Sequence, residues 1–398
     1  MRAVVFRSPG VLHVEDLPVP APGAGELLIK PHYAQVCLTD VLNAQRWPPV
    51  WPSALPDGRR RQHAGRWAAA MSDGMVPGHE GGGEVVEVGP GVDGFAVGDR
   101  VLVDATYRCG TCPECATMMW RDCRRFAART ASGRAVGPTY LGVNSSRPEE
   151  FGRGLMAEYC AVPAAMSYRC PDEVSSLGLV GGEIGGATLA SVRCSGLQLG
   201  DNVVQIGGQL FGGYRMQLAR LAGADRIVYV ESNAARREWA QRLELADLVV
   251  DPGREAAVDA VRERFPHGAD VVFSSCVEAG SWALAARVVR RGGTVVPFDS
   301  DPRLSEHHLD GFDAAMITGN GVRWLGHWPP IATAEPLKGG KDRNDHQIFV
   351  DLMAQGRIDG GAPVTRVVSL WDEVDAISEA FRDAWRTEVR TAVRIWGE

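Results

Sequence analysis

Four cysteines crowd into the stretch RCGTCPECATMMWRDC, at Cys109, Cys112, Cys115 and Cys123. The spacing C-x2-C-x2-C-x7-C lets neighbouring thiolates turn toward one ion of tetrahedral preference, and Gly110 and Pro113 bend the loop that carries them. Four thiolates complete such a shell, so the predicted zinc is structural. A closed shell leaves no position for a substrate, and metal chemistry must then use other residues. VCLTD at 36–40 offers Cys37 and PGHEGGGEVVEVG at 77–89 offers His79. Taken singly, each also reads as an ordinary buried cysteine or a hydrogen-bonded core histidine.

A second chemistry-bearing pattern lies further along. VVQIGGQLFGGY follows a predicted strand and opens a predicted helix, the setting in which backbone N–H groups and a helix N-terminus meet a pyrophosphate. Against the pattern G-x-G-x-x-G, Gly207 and Gly212 fill the first and third places, Gly208 lies between, and Gln209 occupies the second. There, close approach of backbone to phosphate favours glycine. The acid that reads the adenosine ribose is expected at the end of the next strand, RIVYVES, which selects Glu231. Its other reading is a surface glutamate at a strand end. Glu231 favours NAD over NADP, because a 2'-phosphate would face the carboxylate. Arg236 and Arg237 are expected on the following helix as solvated charge.

The elements that must position these residues fall into two patterns. Residues 1–184 read as short strands separated by turns such as PAPGAG and GPGVDGFAVGD. Residues 185–330 alternate apolar strands with helical stretches, which predicts a parallel sheet covered on both faces. Residues 331–398 return to helix, strand, helix and are expected to pack back on the first half. With 398 residues the chain is long enough for two cores. One insertion, residues 45–74, is rich in proline, tryptophan and arginine. It is expected to cover the active site or a subunit contact through Trp47, Trp51 and Trp67, or else to be a disordered loop.

A net charge of −7, with no basic run longer than Arg59–Arg61, argues against nucleic acid and against a polybasic membrane anchor. No stretch approaches the ~20 apolar residues that cross a bilayer, and the N-terminus lacks the apolar core of an export signal. A cytoplasmic protein acting on small molecules is expected. Nine cysteines, an odd count in a long chain, suit metal or chemistry better than a disulfide framework.

The chain resembles the zinc-dependent medium-chain alcohol dehydrogenases over nearly all its length. The resemblance runs through VCLTD, GHEGGGEVVEVGPGVDGFAVGDRV, the four-cysteine loop, GLQLGDNVVQIGG and the strand–helix alternation that follows. It implies an α/β protein with a GroES-like β-barrel catalytic domain, a Rossmann doubly wound sheet and a C-terminal return to the catalytic domain. A homodimer or homotetramer is expected. Cys37 and His79 then take the places of catalytic zinc ligands. Counting back without gaps from GLQLGD puts Glu183 at the third, where polyol and threonine dehydrogenases use glutamate; otherwise Glu183 would cap a helix. Glu80 is an alternate ligand.

Within the same resemblance Thr39 passes the alcohol proton, Asp40 holds the second imidazole nitrogen of His79, and Ser275 lies near the cofactor. Leu42 stands where many members carry a relay histidine. The implied reaction is reversible NAD-dependent oxidation of a secondary alcohol, a polyol, sugar or cyclitol, to a ketone, with two zinc ions per chain, one catalytic and one structural. The alternatives are a zinc-free enone or quinone reductase and a catalytically inactive, zinc-stabilised binding protein.

Overall fold

The computed structural model describes residues 1–8, 11–37, 40–41, 74–116, 122–126, 128–129, 135–137, 141, 154–254, 256–275, 280–297, 311–325, 344–384 and 389–396. Thr39, Leu42 and the three tryptophans of the insertion lie outside them, and of residues 45–74 only Gly74 is described. The chain divides into two compact units. The first comprises Met1–Glu183, Thr333–Trp385 and Arg390–Glu398; the second comprises Ile184–Ala332 and Arg386–Val389.

The first unit is built on strands. β1 (Arg2–Ser8) and β2 (Val11–Asp16) form an antiparallel ribbon, and β6 (Ala128–Arg129) and β7 (Ala135–Gly137) a short one. The main sheet uses β3 (Glu26–Gln35), β4 (Glu80–Val88), β5 (Arg100–Val103), β8 (Cys160–Pro163), β9 (Ser167–Arg169), β16 (Val364–Ser369) and β17 (Arg390–Arg394). Its order is β16-β17-β3-β4-β5-β9, with β8 paired to β3. The C-terminal segment thus contributes two strands to the sheet begun by the N-terminal one. Val and Leu alternation gives these strands a buried face, and Val4, Phe6, Leu27, Ile29, Val85, Val101 and Val393 meet in one core. The glycine run after Glu80 lies where strands press together: a β-carbon on Gly82 or Gly83 would strike the carbonyl of Val101 or Lys30.

The second unit holds a six-stranded parallel sheet in the order β12-β11-β10-β13-β14-β15. These are β10 (Asn202–Gly207), β11 (Arg226–Val230), β12 (Leu248–Val250), β13 (Ala269–Ser275), β14 (Val289–Pro297) and β15 (Arg323–Trp324). Helices α1 (Gly182–Ser195), α2 (Gln209–Leu221), α3 (Ala234–Arg242), α4 (Ala257–Arg264) and α5 (Ser281–Val288) connect or precede them. Runs such as VVQI, IVYV and VVF are buried almost throughout, as strands covered on both faces require. Strand order reverses beside β10, so the turn after β10 sits at the topological switch point where such sheets bind ligands. The remaining helices used below, α6 (Asp345–Ala354) and α7 (Val374–Asp383), belong to the first unit. Among the described residues no helix is long and apolar enough to cross a membrane.

Candidate metal centres and nucleotide turn

Cys37 follows the end of β3 and His79 precedes β4, strands paired in register with Gln35 opposite Glu80. Antiparallel pairing therefore brings residues distant in sequence to one end of the sheet. Cys37, His79 and Glu80 each offer a ligand atom within 4.8 Å of the others. Asp40 ties the segments together: its carboxylate accepts from the backbone N–H of Cys37 at 3.1 Å and of Gly78 at 3.4 Å. Asp40 Oδ1 lies 3.4 Å from His79 Nδ1, while His79 Nε2 faces Glu80 Oε1 at 4.0 Å. The carboxylate behind Nδ1 leaves Nε2 as the nitrogen turned toward the group.

Glu80 is fully buried, and its Oε2 accepts a short hydrogen bond from the carboxamide of Gln35. Glu80 Oε1 and Glu183 Oε2 are sealed from solvent without a hydrogen-bond partner among the described residues. Two buried carboxylate oxygens left in this way cost free energy unless something cationic meets them. Glu183 lies outside the tight group formed by Cys37, His79 and Glu80. It is nevertheless close enough that burial first, then the charges of Glu80 and Asp104, push its carboxyl well above the usual range, against the pull of His79. Glu183 sits in the first turn of α1, seated tightly because a β-carbon on Gly182 would fall inside the Leu102 side chain.

Burial, and next the Glu80 charge, push the Cys37 thiol up. Burial opposes charge on His79, but Asp40 and Cys37 outweigh it and hold the imidazole well above its ordinary value. Charge is thus crowded here in the protein alone, and a divalent cation would relieve the crowding. The donor set of thiolate, imidazole and carboxylate suits zinc.

The four cysteines form a second group. Their sulfurs stand 4.0 Å apart for Cys109 and Cys115, 4.0 Å for Cys112 and Cys123, and 3.7 Å for Cys109 and Cys123. Zinc–sulfur bonds of about 2.3 Å in a tetrahedron place sulfurs about 3.8 Å apart, so the cage has the size of that ion. Burial opposes the Cys109 thiolate, but N–H and hydroxyl donors from Thr111 and Cys112 win and bring its pKa down to about 6. Cys115 and Cys123 are pushed up, chiefly by burial.

In the second unit the glycine-rich turn takes a left-handed path. Gly207, Gly208 and Gln209 have φ of 55°, 101° and 44°. Gln209, at the second glycine position of the pattern, keeps a backbone conformation that glycine adopts more easily. Gly212 packs so closely that a β-carbon would meet the Gly207 carbonyl. The buried Gln205 carboxamide braces the same carbonyl with a 2.9 Å hydrogen bond. The backbone of Ser275 pairs with Gly207 in the sheet.

Glu231 follows β11 and is 2% exposed. Its Oε2 accepts from the Tyr229 hydroxyl at 2.7 Å and its Oε1 from the Asn233 N–H at 2.9 Å, with Arg236 Nη1 3.6 Å from Oε1. The surface-glutamate reading therefore does not hold, and neither does that of solvated arginines. Asn233 caps α3 by accepting from the Arg236 N–H, which starts the helix just after the strand end. Arg237 Nη1 donates to the carbonyls of Glu231 and Ser232, and its Nη2 pairs with Asp251 at 2.7 Å.

Sequence reasoning passed over Gln35, Gln205 and Tyr229. Tyr229 had a signal, since residues two apart on a strand share a face. Gln35 had none beyond its place at the end of β3, and Gln205, inside β10, had none.

Comparison with known proteins agrees with this architecture. The family described as "Alcohol dehydrogenase GroES-like domain" matches residues 23–172, and that described as "Zinc-binding dehydrogenase" matches residues 212–330. The chain belongs to the zinc-type medium-chain dehydrogenase family and is an oxidoreductase of the alcohol dehydrogenase kind. It is 29% identical to an alcohol dehydrogenase of Geobacillus stearothermophilus over 82% of this chain and 84% of that one. It is 28% identical to an L-threonine 3-dehydrogenase of Burkholderia vietnamiensis over 74% of this chain and 75% of that one. A zinc-binding dehydrogenase from Sinorhizobium meliloti 1021, solved bound to NADP, matches with a TM-score of 0.73 and 26% identity over 99% of each chain.

Proposed function

We propose that the chain interconverts a secondary alcohol bearing neighbouring polar groups and the corresponding ketone, with NAD as hydride partner, at a catalytic zinc ion. The observation that carries this reading is the convergence of Cys37, His79 and Glu80 within 4.8 Å, backed by Asp40 and flanked by Glu183. Cys37, His79 and Glu183 are the proposed ligands, with Glu80 able to replace Glu183. A zinc ion held there supplies a Lewis acid for the substrate oxygen. Asp40 holds Nδ1 of His79 and so fixes which nitrogen faces the metal. The Asp40 oxygens also hold the Cys37 and Gly78 backbones, which keeps the two ligand-bearing segments together.

The second proposed zinc closes the four-cysteine cage and has no substrate position. Thr39 is the proposed proton carrier from the alcohol, and with Leu42 in the usual relay position the onward path runs through water or the cofactor ribose. In the second unit, the N–H groups of the turn at Gly207, Gly208, Gln209 and Gly212 cradle the pyrophosphate, with Ser275 beside the cofactor. Glu231 keeps acceptor capacity for the ribose hydroxyls after accepting from Tyr229 and Asn233.

The substrate class, a polyol, sugar or cyclitol, rests on the glutamate at position 183 and on the threonine dehydrogenase likeness. Metal analysis of Glu183→Ala and a screen of secondary alcohols followed by NADH absorbance test the reading. The variant should lose the catalytic zinc, keep the structural one and lose turnover. Retention of both metals with full turnover would show that Glu80 alone serves.

A further inference from the structure

Behind Glu183 lies a buried polar cluster that neither group of proposed ligands uses. Asp104 and Arg108 are each 2% exposed and His346 3%. They come from the residue after β5, the entry to the four-cysteine loop and the first turn of α6. Arg108 Nη1 donates to Asp104 Oδ2, its Nε to the Ala165 carbonyl at 2.7 Å and its Nη2 to the Tyr168 hydroxyl at 2.6 Å. The Tyr168 ring stacks on the His346 imidazole, centroids 5.1 Å apart and planes 10° from parallel. The Tyr168 hydroxyl also accepts from Asn344 Nδ2 at 2.9 Å, and Asn344 in turn caps α6. His346 Nε2 stands 3.8 Å from Asp104 Oδ1.

Two features aim this cluster at Glu183. The Leu102 side chain, two residues before Asp104, packs against the first turn of α1 at Gly182, and the Asp104 charge acts on the Glu183 carboxyl. Arg108 is also the neighbour of Cys109, so the cysteine loop fixes the base of the cluster. Burying an ion pair gains little stability against an apolar replacement of the same volume. What such a pair does supply is a fixed geometry, since each group has one arrangement in which all its partners are met.

We propose that Asp104, Arg108 and His346 are positioning residues that set where the Glu183 carboxylate stands relative to Cys37 and His79. The inference rests on the reading of Glu183 as a ligand of the catalytic metal. His346 and Arg108 fix the Asp104 carboxylate just beyond the strand residue against which the first turn of α1 packs, and that carboxylate repels the Glu183 side chain toward the ligand group. Arg108 and Tyr168 lock both parts in place. Groups that orient a ligand from behind typically change metal affinity about 10- to 100-fold when removed.

The test uses the full-length enzyme with Co2+ at the catalytic position and zinc in the cysteine cage, so that the visible absorption band reports coordination by Cys37, His79 and the glutamate. His346→Phe keeps a stacked ring and removes the polar link. It should shift that band and weaken Co2+ binding about 10-fold or more, with the caged zinc retained. Asp104→Asn should act in the same direction, and His346→Gln should restore part of the effect. If Asp104→Asn does not fold, Tyr168→Phe is read instead, with a smaller shift expected. Glu183→Gln serves as the reference. Bands and affinities unchanged in the cluster variants, while Glu183→Gln alters both, overturn the positioning role alone. No change in Glu183→Gln itself removes the ligand reading and the inference with it.

Discussion

The two groups of proposed metal ligands differ in how they are assembled. The four cysteines come from one short segment, and their cage is drawn by local turns around Gly110 and Pro113. Cys37, His79 and Glu80 come from the end of β3 and the start of β4 and meet because these antiparallel strands pair in register, while Glu183, at the start of α1, lies outside that tight group. The first group has sulfurs at tetrahedral spacing and, among the described residues, no other ligand in its group, which suits a closed site. The second mixes a thiol, an imidazole and a carboxylate, with Glu183 near it, and among the described residues one oxygen of Glu80 and one of Glu183 are buried without a hydrogen-bond partner. A closed site can be written into a loop, whereas an open one needs separate elements to hold ligands back from completing the shell.

Removing one ligand from the cage gives the largest expected effect. Cys112→Ser should lower zinc content by one ion per chain and destabilise the first unit by about 4 kcal/mol or more, the range of a lost structural metal. Metal analysis and thermal unfolding would show it, and an unchanged metal count would end the assignment.

The nucleotide turn sharpens the comparison because it too is local in sequence, yet depends on a residue supplied by the next strand. Glu231→Ala should weaken NADH binding by about 1.5–3 kcal/mol, the value of hydrogen bonds to a charged group. It should narrow the gap to NADPH, since Arg236 is then released from its pair with Glu231. Binary titration by cofactor fluorescence measures both. Equal affinities for the two cofactors in the unaltered protein would contradict the proposed NAD preference.

Gln209→Gly asks how far a local turn tolerates a residue that the pattern does not favour. With φ at 44° the glutamine stands in the left-handed region, and glycine there should raise stability by about 1 kcal/mol. Chemical denaturation would register the gain. A loss would mean that the glutamine side chain holds the turn.

The smallest effect expected is at His32, half-buried in β3 with Nδ1 3.0 Å from Ser176 Oγ. Burial, then the Arg100 charge, lowers its pKa below 6.5. The unfolded chain therefore takes up the proton more readily. The stability this residue contributes is present above pH 6.5 and lost as pH falls through the lowered folded value. His32→Gln should flatten the decline of melting temperature between those limits; a slope as steep as before would place the acid sensitivity elsewhere.

Much of this protein was legible before folding was considered. The cysteine spacing, the strand–helix alternation after residue 185 and the glycine turn are local patterns, and local patterns survive in the sequence because backbone geometry alone decides them. The place of Glu231 at the end of the strand after the turn was legible in the same way. The two arginines after it were misread, because their contacts with Glu231, Ser232 and Asp251 form only when α3 packs beside the strand ends.

What the tertiary structure alone decided is which carboxylates stand together. Glu80 joins Cys37 and His79 through cross-strand register, and the first turn of α1, which carries Glu183, is seated by close packing of Gly182 against Leu102. His346, far in sequence from Asp104 and Arg108, is brought to their buried place by the packing of α6 near the end of β5. Spacing along a chain records contacts across a turn. Contacts between strands and helices are set by the burial of apolar faces, and no count of residues carries that information.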